Sequence, residues 1–162
     1  MAARENNLNY GAYCGIYCGA CAIMVATERD EVAKLLEHEE PGYTVEDLTC
    51  LGCRTDVTAS WCTDCEMRLC ARERALAFCC DCDDYPCELN KRFQADEHPH
   101  HTPVLKNLEA IREAGAAAWL AAQFERWKCP SCGARSTWYD EKCDGCGAEL
   151  YDCRAEEKDL AA

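Results

Sequence analysis

Two cysteine pairs near the C-terminal end, Cys129-Pro-Ser-Cys132 and Cys143-Asp-Gly-Cys146, have the C-x2-C spacing that turns two sulfurs to the same side. A glycine follows each pair, and its tolerance of positive φ frees backbone N–H groups to point at sulfur. Four thiolates around one ion leave no open position, which is structural rather than catalytic chemistry. The ten residues between the pairs (133–142) carry Trp138 and Tyr139 and predict a short hairpin, so 129–154 reads as a β zinc ribbon. Its role reads first as a staple for the fold, with a docking module for another protein as the rival. Iron in rubredoxin-like geometry uses similar knuckles, so the spacing prefers zinc without requiring it.

Twelve further cysteines precede residue 90. Grouped by proximity, Cys50, Cys53, Cys62 and Cys65 would share one ion, and Cys70, Cys79, Cys82 and Cys87 another. Cys14, Cys18 and Cys21 then need a fourth ligand from Cys80, from one of His98, His100 and His101, or from solvent. Cross-braced groupings satisfy the same spacing, because spacing fixes pairs and not their partners. The Cys14-x3-Cys18-x2-Cys21 run also matches the cluster motif of radical enzymes that use S-adenosylmethionine, but 162 cysteine-crowded residues cannot supply their large barrel. A plainer iron–sulfur alternative, an acidic electron carrier, stays open beside zinc. The three histidines otherwise read as a solvated linker, and Cys153 as a free thiol beside the ribbon.

Composition supports ligation over disulfides. Seventeen of 162 residues are cysteine, a density at which cysteines rather than a large core are expected to hold a chain together. The start, Met1-Ala-Ala-Arg-Glu, lacks a basic stretch followed by an apolar run, so a cytoplasmic setting is expected, where thiols stay reduced unless a metal takes them. No apolar run approaches the roughly 18 residues of a membrane span. The formal net charge is −13, and residues 1–104 hold 9 Lys and Arg against 19 Asp and Glu. Phosphate recognition wants the opposite sign, so no nucleic-acid partner is expected; another protein is the expected partner.

The elements that must position these groups are short. Residues 22–39 show a loose helical period, as do 66–78, which carry Cys70. Asp83 or Asp84 with Pro86 predicts a helix start. The segment 96–103 (DEHPHHTP) is polar and aperiodic, and Thr102-Pro103 opens the longest apolar face, from Leu105 to Trp127, with Gly115 as its weak point. The chain therefore reads as a Cys-rich metal-binding domain (1–95), a linker and long helix (96–128), the zinc ribbon (129–154) and an acidic tail (155–162). The fold class expected is small, metal-stabilised and mainly α, with irregular Cys-rich loops, a long linking helix and a C-terminal β ribbon.

The residues Tyr13-Cys14-Gly-Ile-Tyr-Cys18-Gly-Ala-Cys21, Cys50-Leu-Gly-Cys53, Cys62-x2-Cys65-x4-Cys70-Ala71, Cys79-x2-Cys82 and Tyr85-Pro86-Cys87-Glu88 resemble an uncharacterised prokaryotic family, the domain of unknown function catalogued as 3795. The resemblance covers about residues 10–95. It implies metal binding through the cysteines and no particular activity, and Cys80 falls where it implies a non-cysteine. Two function classes follow: a zinc-stabilised, non-catalytic binding or adaptor protein, and an iron–sulfur protein passing electrons to a partner. Catalysis is the weakest class, since no nucleophile–base pair, phosphate loop or distinct acid pair stands out.

Overall fold

Short helices separated by cysteine-bearing turns make up the chain, in a computed structural model that describes residues 2–162. They are α1 (Ala2–Glu5), α2 (Ala22–Glu28), α3 (Val32–Leu36), α4 (Ser60–Thr63), α5 (Glu66–Glu73), α6 (Glu88–Gln94), α7 (Val104–Ala114), α8 (Ala116–Arg126) and α9 (Cys153–Ala161). Single 3-10 turns at Leu8–Tyr10, Cys18–Ala20, Cys79–Asp81 and Pro99–His101 lie between them. Among the described residues no helix is long and apolar enough to cross a membrane.

Each helix expected to be long is interrupted, for a local reason. The one over 22–39 breaks at Asp30, which takes φ 57°, while the Glu31 N–H reaches back to the Ala26 carbonyl at 2.8 Å, a helix-ending pattern. The expected linking helix breaks at Gly115, whose φ 87° and ψ 159° are open to glycine alone. The break lets α7 and α8 fold against each other. Leu108 and Ile111 from the first and Trp119 and Leu120 from the second then enter one core. A single straight rod could not bury both stretches so well against a body this small. At α6 the cap is Cys87, not an aspartate: its backbone N–H donates to Asn90 Oδ1 at 3.1 Å.

The main core gathers Tyr10, Tyr17, Met24 and Phe78 around the α7–α8 residues. A second centres on Cys14, Ile16, Met67 and Val104, and a third joins Ala26, Val32 and Leu48. Trp138 packs against the first two. Its indole N–H donates to the Tyr17 carbonyl at 3.2 Å and its backbone N–H to the Ala20 carbonyl at 3.0 Å. The segment carrying the C-terminal cysteines is thus fixed onto the N-terminal part of the chain.

The expected C-terminal β zinc ribbon does not form. The described residues contain no strand, only isolated bridges, two of which (Lys128 with Arg135, Lys142 with Glu149) close the C-terminal cysteine turns. The reason lies in where the intervening backbone spends its hydrogen bonds. Ser136 N–H goes to the Trp127 carbonyl, Trp138 to Ala20, and the Cys153 N–H comes in to the Trp138 carbonyl. Thr137 N–H is taken by the Asp140 carboxylate at 2.7 Å. The amides of Ser136, Thr137 and Trp138 are thus drawn away from a hairpin ladder. The acidic stretch 155–162 lies largely in a helix, Cys153–Ala161, capped by Asp152 accepting from Ala155 N–H at 2.9 Å.

Candidate metal centres

Each C-terminal cysteine pair is a self-closed knuckle. Cys129 N–H donates to the Ala134 carbonyl at 2.7 Å and Gly133 N–H to the Cys129 carbonyl at 2.9 Å. The second knuckle repeats this with Cys143, Ala148 and Gly147, both bonds at 2.8 Å. Gly133 and Gly147 hold φ 74° and 75°, the left-handed turn that glycine takes at no steric cost. The Sγ atoms of Cys129, Cys132, Cys143 and Cys146 all lie within 4.8 Å of one another. The Cys129–Cys146 and Cys132–Cys143 separations are 3.6 and 3.5 Å. A disulfide needs about 2.05 Å, whereas a tetrahedral ion with arms of about 2.3 Å sets its sulfurs about 3.8 Å apart. These four residues could hold a metal ion, and the spacing fits one.

Backbone dipoles prepare the charge. N–H groups of Cys132 and then Ser131 hold the Cys129 thiol down to about 6. Ala148 N–H does the same for Cys146, but the crowding of three other sulfurs outweighs it and pushes that thiol up to about 12. Packing four thiolates without a cation is therefore opposed, and a divalent ion removes the opposition.

The other cysteines gather differently. Among the described residues no three of the N-terminal thiols close within 4.8 Å of one another. They nonetheless share two neighbourhoods. Burial and then the charge of Cys53 push Cys14 well above the ordinary thiol range, with Cys65 and Cys79 contributing. Cys18 is raised by burial, then by Cys53, Cys21, Cys14 and Cys50. Cys62 is pushed up to about 12 by burial and by Cys50, Cys21, Cys65 and Cys53. Cys14, Cys18 and Cys21 therefore interleave with Cys50, Cys53, Cys62 and Cys65, in the manner of the cross-braced groupings that spacing left open. In the second neighbourhood, burial pushes Cys79 up to about 12 and Cys87 and Cys70 add to it. Arg74 donates to Cys82 Sγ at 3.2 Å. Cys80 turns away into the main core, and so does Cys153, only 1% exposed.

Two supporting residues were not foreseen. Asn90, almost fully buried, opposes the rise of Cys79, and its amide nitrogen has no hydrogen-bond partner among the described residues. Its position three residues after Cys87, closing a capping box, is a signal the sequence did carry. Arg135 donates to the Gly19 carbonyl and to Glu28, tying the first knuckle to α2 from 107 residues away. No spacing rule points to it.

A family model described as protein of unknown function, DUF3795, matches residues 10–92. The chain belongs to this family. No curated protein and no solved structure matches it. The DUF3795 segment includes all twelve N-terminal cysteines and Asn90, and stops short of the two knuckles and of the histidines at 98–101. The four-thiol centre that closes most tightly thus lies outside the residues that the family model matches. In the matched part the carbonyls of Tyr17, Gly19 and Ala20 accept hydrogen bonds from Trp138 and Arg135.

Proposed function

We propose that this protein is a non-catalytic, zinc-binding module of the cytoplasm whose metal ions hold together a surface for another protein. The observation that carries the reading is the fit of Cys129, Cys132, Cys143 and Cys146 to a single tetrahedral ion with no position left open. Zinc suits four thiolates without redox chemistry or a geometric demand, and it would supply folding energy to a chain with three small cores. Further zinc ions would sit on the cysteines of the DUF3795 segment, with Asn90 donating to one thiolate. A protein partner is supported by exposed apolar side chains within residues 43–69: Tyr43, Val45, Leu51, Val57, Trp61 and Leu69. Tyr43 and Trp61 meet edge to face at 5.8 Å.

One observation favours a second reading for the DUF3795 segment alone. Its thiols are more widely spread than ligands of one ion, and an iron–sulfur cluster distributes its thiolates over several irons. The protein would then pass electrons to its partner. Purification without oxygen separates the two. A colourless protein with several zinc ions per chain is expected; absorption at about 400 nm that dithionite bleaches would overturn zinc in this segment.

A further inference from the structure

Asp96, His98 and His101 offer three donor atoms within 4.8 Å of one another, and none of them belongs to a cysteine centre. His98 Nδ1 and His101 Nδ1 lie 3.3 and 2.9 Å from the same oxygen, Asp96 Oδ1. Metal–nitrogen and metal–oxygen bonds of about 2.0–2.2 Å, set at angles of about 90–109°, place neighbouring donors about 2.8–3.6 Å apart. Both separations fall in that window. Two imidazoles and one carboxylate are a donor set for a borderline divalent ion such as zinc, cobalt or nickel, and not for calcium or magnesium.

The segment that carries them is anchored, and one ring is held from outside the cluster. The His101 ring stacks on Phe93 at 3.9 Å between centroids. Asp96 accepts the His98 backbone N–H at 2.9 Å. The turn Pro99–His101 packs against α9, and the Gln94 side chain donates to the Thr102 carbonyl at 3.0 Å. His100 is engaged elsewhere: its ring stacks on Trp138 and its Nδ1 meets Tyr139 Oη at 2.7 Å. His98 and His101 are the rings left to bind.

We propose that Asp96, His98 and His101 bind a divalent transition-metal ion at a site separate from the thiolate centres. Each ring would bind as neutral imidazole through Nδ1, with its proton on Nε2. Three protein ligands leave the ion open to solvent or to a small anion. Asp96 also borders a cleft of about 350 Å³ lined by Thr102, Lys106 and Glu157, which would give such a ligand access.

Cobalt(II) titration of the whole chain, its thiolate centres filled with zinc and weakly held ions first removed with a mild chelator, tests this. One further equivalent of Co2+ is expected, with d–d absorption and without the sulfur-to-cobalt charge-transfer band that marks thiolate ligation. His98 is 51% exposed, so His98→Ala should leave the far-UV circular dichroism unchanged while weakening this uptake on the order of 100-fold. Cys132→Ser should leave it intact. The proposal is overturned if no further equivalent binds, if it shows thiolate charge transfer, or if it survives both His98→Ala and His101→Ala.

Discussion

Replacing Arg135 by methionine should undock the first knuckle from α2 without abolishing metal uptake by the proposed four-thiol site. The guanidinium donates to the Gly19 carbonyl through Nε at 2.7 Å and again through Nη2, and it pairs with Glu28 at 2.5 Å. The side chains of Arg135 and Glu28 are 12% and 25% exposed, so solvent screens the pair only in part. Methionine keeps the apolar stem and loses the charge. Hydrogen bonds to a charged group contribute about 1.5–3 kcal/mol, while Glu28 keeps Tyr10 and Arg4 as partners. The net loss should be about 3 kcal/mol, which in a chain of this size lowers the thermal midpoint by about 6–12 °C. The assay is circular dichroism melting in saturating zinc, with zinc content measured alongside.

The same pair makes a pH prediction. Burial alone would raise the Glu28 carboxyl, but hydrogen bonds from Tyr10 and Arg135 outweigh it and hold the group below its ordinary value of 4.5. A depressed carboxylate stabilises the fold above that value and loses its contribution as pH falls through the folded-state value. The gap between wild type and Arg135→Met should therefore be full at neutral pH and shrink in acid. In a double-mutant cycle with Glu28→Gln the coupling should exceed about 1 kcal/mol. A midpoint shift under about 2 °C, or no coupling, would refute the tie between knuckle and α2.

Further outcomes follow from the same geometry. Cys132→Ser should cost one metal ion per chain by elemental analysis and loosen the 129–150 region in hydrogen exchange; unchanged metal content would refute the four-thiol centre. With Cys146 at about 12, zinc binding there must release protons, so the affinity of the apo knuckles should fall as pH is lowered from about 8 to 6, and a flat profile in a competitive chelator titration would contradict it. Gly15→Ala should destabilise by at least about 2 kcal/mol in chemical denaturation. Gly15 holds φ 91°, and a Cβ there would sit 2.7 Å from the Val104 carbonyl oxygen and 2.9 Å from Leu108 Cγ; a loss under about 1 kcal/mol would mean that α7 can give way.

Local chemistry was legible in the sequence because it is written in short spacings. C-x2-C followed by glycine dictates a knuckle whatever surrounds it, and Gly133 and Gly147 take the left-handed turn that this pattern needs. The family was legible over nearly the same residues that its model matches. Mainly helical character followed from apolar period, and Gly115 could be seen as a weak point but not as a fold-back. That choice belongs to the core, which buries both Leu108 and Trp119 only if the chain turns there.

The β ribbon failed for a related reason. Residues 133–142 have the length and aromatics of a hairpin, yet a hairpin competes with every other partner for the same backbone groups. The Tyr17 and Ala20 carbonyls claim Trp138, the Asp140 carboxylate claims Thr137, and the ladder is lost. Likewise, spacing could pair Cys14 with Cys18 but could not set them among Cys50 and Cys53, because that arrangement depends on how α2, α5 and the loops between them pack. The sequence by itself determined where the thiols stand along the chain and which two lie side by side. Tertiary structure alone decided which pairs meet, which cysteines, such as Cys80 and Cys153, are withdrawn into the core, and that Asp96 stands between two histidines. Contacts between residues far apart in the chain follow from burial and competition for hydrogen bonds, and no local spacing encodes them.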